Sequence, residues 1–157
     1  MQLTQFSDYA LRTLIYLGVR GDSLATIEEI AAAYGISESH LTKVVHKLGK
    51  LGIVATVRGR GGGMRLGRAP AEINIGETVR LMEGNLTLVE CFDAEHNTCP
   101  IAPVCGLTSI LDEALRAFML VLDRYTLADM IRNKGDIVGL LSLPAEAVTA
   151  RRSSAGR

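Results

Sequence analysis

Apolar residues recur at intervals of three and four in the first half of the chain, which predicts a series of short amphipathic helices. Thr26 and Glu29 have the spacing of a capping box and predict the start of the second helix. Gly35 is expected to form a turn, and Ser37 to cap a third helix. The third helix has the clearest apolar stripe, formed by Leu41, Val44, Val45, Leu48 and Leu51. Short helices joined by a glycine turn are typical of a helix-turn-helix unit.

A β-hairpin is predicted after the third helix. Residues 53–57 are expected to form its first strand, and residues 64–66 its second. The turn between them carries Arg58 and Arg60 among four glycines. A hairpin in this position is the wing of a winged helix-turn-helix domain, which we assign to residues 1–84. The predicted fold is therefore mainly α with a small β-hairpin.

A long amphipathic helix is predicted after the middle of the chain, with apolar positions at Leu107, Leu111, Ala114, Leu115, Phe118, Val121, Leu122 and Tyr125. Because little chain remains to cover this stripe, we expect it to pack on a second copy of itself. Packing within the protomer is the alternative. Thr126 begins a further short helix, so the dimerisation unit is assigned to residues 107–134. Residues 135–157 are expected to be disordered.

Charge is divided unevenly along the chain, although 17 basic residues balance 17 acidic ones. No acidic residue lies between Glu38 and Glu72, whereas seven basic residues do. This stretch coincides with the predicted third helix and wing, which favours double-stranded DNA as a partner over a protein contact or a merely solvated surface. The residues expected to contact DNA are Ser37, Ser39, His40, Thr42, Lys43, His46, Lys47, Arg58 and Arg60.

All three cysteines, Cys91, Cys99 and Cys105, lie in one loop that we assign to residues 85–106. Clustered thiolates favour zinc or iron–sulfur iron. The loop lacks the close cysteine pairs of most zinc sites, and its wide spacing suits a bulkier cluster. Three thiolates leave one iron of a four-iron cluster without a cysteine ligand. Zinc held by the cysteines and His96 remains an alternative, as do three metal-free buried cysteines.

Several other classes of protein are disfavoured by the sequence. Asp8 and Arg12 interrupt the first apolar stretch, so no secretory signal is predicted, and no apolar run is long enough to cross a membrane. The protein is expected to be cytoplasmic and to lack disulfides. The glycine-rich segment has no phosphate-binding ending, and the histidines have no nucleophile partner, so an enzyme is not predicted. An electron-transfer protein would not need a basic wing.

Three segments resemble the family of iron–sulfur winged-helix repressors that includes NsrR and IscR. These segments are residues 1–12, residues 57–66 and the three-cysteine loop. The end of the long helix, residues 125–129, is similar to the NsrR branch of the family. The resemblance extends to about Lys134, and it implies a winged-helix transcriptional repressor that acts as a homodimer on operator DNA.

The cluster ligands differ between branches of this family. IscR-like members have a histidine ligand of a two-iron cluster where this chain has Thr108. Asp8 matches an aspartate that NsrR-like members donate from the partner subunit. The resemblance therefore implies one [4Fe-4S] cluster per subunit, held by the three cysteines and by Asp8 of the partner subunit, with nitric oxide as the signal that releases DNA. From the residues alone, Asp8 equally suits a helix N-terminus, and iron or oxidants are alternative signals.

Overall fold

The computed structural model describes residues 2–93 and 95–143. Its described part contains seven α-helices and one two-stranded antiparallel sheet, with three short 3-10 turns. The elements are α1 (Gln5–Arg20), α2 (Ile27–Tyr34), α3 (Glu38–Lys50), β1 (Val54–Val57), β2 (Gly63–Leu66), α4 (Ile75–Glu83), α5 (Gly106–Leu122), α6 (Leu127–Met130) and α7 (Lys134–Leu140). The predicted fold class, mainly α with a small β-hairpin, is confirmed.

The predicted capping box at the start of α2 is present. The Thr26 hydroxyl accepts a hydrogen bond from the Glu29 amide at 3.2 Å, and the Glu29 carboxylate accepts one from the Thr26 amide at 2.7 Å. Ser37 occupies the cap position of α3, but its hydroxyl makes no capping bond. That hydroxyl lies 2.8 Å from the hydroxyl of Ser39 instead. Ser37 therefore marks the start of α3 without satisfying its backbone amides.

Helix α1 forms the centre of the core and contacts α3, α4, α6, α7 and strand β2. The largest fully buried side chains of α1 and α3 are Leu14, Tyr16, Leu17, Leu41 and Leu48. Burying a leucine of this kind stabilises the fold by about 1.5–3 kcal/mol. The hairpin joins this core because Met64 of β2 is buried and its amide donates to the Ala25 carbonyl at 2.7 Å. The helix-turn-helix and its wing thus share one core.

The chain after residue 134 differs from its predicted disorder, since residues 134–140 form helix α7. Val138 is 8% exposed, and α7 packs against α1. Short helices owe most of their stability to such packing, and local sequence carries little signal for it. Residues 144–157, the rest of the predicted tail, lie outside the described residues. None of the helices in the described ranges is long and apolar enough to cross a membrane.

Candidate DNA interface and metal centre

One side of α3 is fixed to the core and the other is open to solvent. Its inward residues are Leu41, Val44, Val45 and Leu48, all buried. Six residues predicted to contact DNA are exposed at the start of α3 or along it: Ser37, Ser39, His40, Thr42, Lys43 and His46. Glu38 and Lys50 are exposed as well. The Thr42 hydroxyl donates to the Glu38 carbonyl at 2.8 Å, and the His40 ring lies 6.3 Å from the Tyr9 ring of α1. The structure therefore gathers six of the nine predicted DNA-contacting side chains on one exposed helical face.

Lys47 is the exception among the predicted residues of α3. It is half-buried, and its ammonium donates to the Met82 carbonyl of α4 at 3.3 Å. The same nitrogen lies 5.4 Å from the centroid of the Phe6 ring. Lys47 thus contacts the scaffold, whereas Lys43, one turn earlier on the helix, is exposed.

The wing is a tight hairpin whose tip carries positive charge. Strand pairing runs from Val54 opposite Leu66 to Val57 opposite Gly63. Arg58 and Arg60 are exposed in the turn between the strands. Gly59 and Gly61 have φ angles of 104° and 74°, a backbone region that favours glycine. Glycines therefore give the turn the shape that presents both arginines.

Two further cations lie in the same basic stretch: Lys50, which the sequence also suggests as a phosphate contact, and Arg65, which was not assigned to the site from the sequence. Lys50 is exposed at the end of α3, and Arg65 is exposed on β2. Both belong to the stretch without acidic residues, which was the available signal for them. They extend the positive surface from the end of α3 to the wing.

Asp8, the predicted ligand donated across a dimer, is paired within its own protomer. Its carboxylate accepts a hydrogen bond from Arg12 Nε at 3.0 Å and lies 2.8 Å from Arg12 Nη2. Both side chains remain a little over 40% exposed, at 44% for Arg12 and 43% for Asp8. This pair was not predicted from the sequence, although residues four apart on a helix are neighbours. Asp8 is therefore accessible and has a local cationic partner.

Two of the three cysteines border the same cavity. Cys91 and Cys105 line a space of about 440 Å³ together with Thr108 and Asp112 of α5. The Thr108 hydroxyl donates to the Cys91 sulfur at 3.4 Å. Cys99 does not line this space, and its amide donates to the Asn97 side chain at 3.0 Å. In residues 2–93 and 95–143, no three histidine, cysteine or acidic side chains are grouped closely enough to hold a metal ion.

The donor set nevertheless fits an iron–sulfur cluster in its chemistry. The three thiols are free and half-buried, and they lie in one loop. Soft thiolates in a partly enclosed loop are the usual ligands of such clusters. His96, the fourth ligand of the zinc alternative, is directed elsewhere: its Nδ1 lies 2.8 Å from the Asp93 carboxylate, and its side chain is 77% exposed. The described residues thus include three thiols of suitable chemistry, which are not grouped around one point, and no fourth ligand lies with them.

Hydrogen bonds between Thr4 and Glu83 join the start of α1 to the start of the cysteine loop. The Thr4 amide donates to the Glu83 carboxylate at 2.8 Å, and the Thr4 hydroxyl donates to it at 3.2 Å. Thr4 caps α1 one turn before Asp8, and Glu83 is the last residue of α4 before the loop. Within each protomer, the Thr4–Glu83 hydrogen bonds therefore hold the start of α1, which carries Asp8, beside the start of the cysteine loop.

Most of the chain is similar to known regulators of transcription. Residues 3–133 match the Rrf2 family, described as iron-dependent transcriptional regulators. The chain is 54% identical over 144 residues to the HTH-type transcriptional regulator NsrR of Bacillus subtilis strain 168, covering 91% of this chain and 99% of the relative. A second NsrR, from Halalkalibacterium halodurans, is 51% identical over 144 residues, with the same coverage of 91% and 99%.

The solved structure of T. potens IscR is similar in fold, with a TM-score of 0.68 and 27% sequence identity, covering 85% of this chain and 88% of that one. The family match includes the helix-turn-helix, the wing, the cysteine loop and α5. It confirms the resemblance drawn from the three sequence segments and places the protein among regulators of transcription, not enzymes. The chain belongs to the Rrf2 family of iron-dependent transcriptional regulators.

Proposed function

We propose that the protein is a transcriptional repressor whose homodimer binds a near-palindromic operator, with one half-site per subunit. The observation that carries the proposal is the exposed polar face of α3 beside a basic wing. A recognition helix of this kind enters the major groove, and two-fold operators match two-fold dimers. As a regulator of transcription it would act in the cytoplasm.

Within this interface the side chains have different tasks. Ser39, His40 and Thr42 are proposed to reach base edges, because they lie toward the start of α3 on its open face. Lys43 is proposed to contact a phosphate, which positions the protein without specifying sequence. Arg58 and Arg60 are proposed to enter a narrow minor groove, where negative potential is strongest. Ser37 and His46 complete the set at the two ends of the face.

The homodimer is proposed to form through α5. Within this helix only Met119 is fully buried. The predicted apolar stripe divides into two adjacent faces: Leu111, Leu115, Phe118 and Leu122 are partly covered by their own protomer. The other face remains open, with Leu107 56% and Val121 42% exposed. Ile110, which was not among the predicted positions, adds to this open face and is 62% exposed. An exposed apolar face along the longest helix is the kind of surface that a second copy covers.

We also propose that each subunit carries one [4Fe-4S] cluster, held by Cys91, Cys99, Cys105 and Asp8 of the partner subunit. The free thiols in one loop and the iron dependence of the family support this proposal. The cluster would supply iron that reacts with nitric oxide, the signal implied by the resemblance to the NsrR branch. A carboxylate oxygen is a harder and weaker ligand than a thiolate, so its iron is the open point of attack.

Through Asp8, the presence or loss of the cluster in the cysteine loop could change the position of the helices that bind DNA. Its carboxylate has two possible partners: the metal centre of the other subunit, or Arg12 of its own helix at 2.8 Å. Exchange between them would move the start of α1, which packs on α3. Two arrangements of one helix, biased by a ligand, are the minimum for a switch.

The test is to purify the full chain without oxygen and to measure iron, sulfide and zinc, then operator binding before and after nitric oxide. We expect a brown protein with four irons per subunit that loses operator affinity on exposure to nitric oxide. Stoichiometric zinc without visible absorbance would support the Cys3His alternative. Release of DNA by iron chelation or by oxidants, but not by nitric oxide, would support the iron- or redox-sensing alternative.

A further inference from the structure

We propose that Lys47 is a positioning residue that fixes the recognition helix to the end of α4 and does not contact DNA phosphate. Its place in the basic stretch predicts a phosphate contact, but its ammonium is directed to the Met82 carbonyl and the Phe6 ring. The inference rests on the proposed function only in taking α3 as the DNA-reading helix.

The partners of Lys47 are those that stabilise an ammonium inside a protein. Met82 lies in the last turn of α4, where backbone carbonyls have no partner within the helix. A lysine that donates there satisfies one of these carbonyls and meets the negative end of the helix dipole. The face of an aromatic ring within about 6 Å adds a cation–π attraction, and Phe6 is at 5.4 Å. Leaving this site for a DNA phosphate would remove both interactions.

The contact of Lys47 with Met82 and Phe6 lies where it can affect the orientation of α3. Met82 precedes Glu83, whose carboxylate holds Thr4 at 2.8 Å, and the cysteine loop begins directly afterwards. Phe6 lies in the first turn of α1, two residues before Asp8. Lys47 therefore connects the recognition helix to the point where α1, α4 and the cysteine loop meet. A shift at that point is transmitted to α3 through Lys47. It would change the angle at which α3 meets base edges.

The experiment compares three variants of the full-length protein: Lys47→Met, which keeps a long apolar side chain without the charge, the matched Lys43→Met on the exposed face, and Phe6→Leu. Affinities for operator and for unrelated duplex DNA are measured over a range of salt concentrations. We expect Lys43→Met to weaken both affinities equally and to lower the salt slope by about one unit. Lys47→Met should keep the wild-type slope but lower the ratio of operator to unrelated-DNA affinity by about two- to fivefold, the size of one lost cation–π contact.

Phe6→Leu removes the ring without changing any charge, so it should lower the same ratio at an unchanged slope. Lys47→Arg should restore the ratio, because arginine can still donate to the carbonyl and stack on the ring. A loss of about one slope unit in Lys47→Met, with equal weakening on both DNAs, would establish a phosphate contact and overturn the proposal. Wild-type behaviour of both Lys47→Met and Phe6→Leu would overturn it as well. Failure of the wild-type protein to bind any DNA would instead reject the proposed function.

Discussion

Arg80 and Asp123 form an ion pair with two hydrogen bonds, each 2.6 Å long, that joins α4 to the residue following α5. The Asn74 side chain donates to the Asp123 carbonyl at 2.7 Å and strengthens the same connection. Lys47 of the recognition helix contacts the Met82 carbonyl in the last turn of α4. Helix α4 is therefore attached both to the end of the proposed dimer helix and to the DNA-reading helix.

Stability should depend on the Arg80–Asp123 pair in a pH-dependent way. The hydrogen bond from Arg80 holds the pKa of Asp123 below its ordinary value of 3.8. A carboxyl with a lowered pKa in the folded state stabilises the fold above its unfolded pKa, and this contribution is lost as pH falls through the folded pKa. Asp123→Asn should therefore be less stable than wild type at neutral pH, and the difference should shrink below about pH 3.8.

Denaturant unfolding of wild type and Asp123→Asn from pH 2 to pH 7 measures this difference. Asp22→Asn, in an exposed turn, serves as the control. Asp129, whose pKa is lowered mainly by a hydrogen bond from the Thr126 amide, is present in both proteins, so its contribution cancels in the comparison. A constant difference between wild type and Asp123→Asn over the whole pH range would contradict the expectation.

The tip of the wing should contribute affinity for DNA without contributing to the fold. Arg60 is exposed at the tip of the hairpin, away from the core. Arg60→Ala should weaken operator binding at least about fivefold, with an unchanged thermal midpoint. Binding titrations and circular dichroism melts measure the two effects. If the variant binds the operator as tightly as wild type, the wing does not take part in recognition.

Asp8 and the cysteines should differ in how strongly the cluster depends on them. Each cysteine-to-alanine substitution should abolish cluster content, whereas Asp8→Ala should lower it only modestly because water or a small thiol can replace a carboxylate. The holo Asp8→Ala protein should bind its operator more like the apo protein. Iron and sulfide analysis with operator titrations distinguishes these results.

Arg12→Ala is the complementary variant, because it removes the local partner of Asp8. With that competitor absent, the cluster should be lost more slowly to nitric oxide. If Asp8 serves only the start of α1, where Thr4 is the cap, Asp8→Ala should cost about 0.3–1 kcal/mol of stability, the size of a charge–dipole interaction. Cluster spectrum, operator affinity and nitric oxide rate would then match wild type in both variants.

The open face of α5 should set the oligomeric state. Ile110 is 62% exposed on this face, so Ile110→Lys places a charge in the proposed interface and should yield monomers at micromolar concentration. Leu120 is 65% exposed but projects from a different side of the helix, at 100° per residue. Leu120→Lys is therefore the control and should remain dimeric in sedimentation velocity. Dimers of Ile110→Lys as stable as wild type would place the interface elsewhere.

The local parts of the fold were predictable from sequence because local interactions determine them. The Thr26–Glu29 capping box and the apolar stripe of α3 are encoded within a few residues, and the structure contains both. Helix α7, whose one buried residue is Val138, was not predicted, since its stability depends on packing against α1. The direction of the Lys47 side chain could not be predicted either, because its partner Met82 lies 35 residues away in sequence.

The candidate metal centre was predictable only in its ligand types. Cysteine clustering indicates thiolate chemistry, but the approach of Cys91 to Cys105 depends on the fold of the loop against α5. The pairing of Asp8 with Arg12 follows from their spacing of four on one helix, and could have been predicted. A ligand donated between subunits has no signature within one chain, so only the family resemblance suggested it.

Because the open face of α5 is covered only in the proposed dimer, the amount of dimer depends on the concentration of the protein. A protomer that fully buries only Met119 of its longest helix gains stability from the copy that covers the rest, so its unfolding temperature should rise with concentration. At concentrations below the dissociation constant, the number of dimers follows the square of the number of chains. Halving synthesis would then lower the number of dimers about fourfold. Operators with weak affinity would be vacated first, before any signal reaches the cysteine loop.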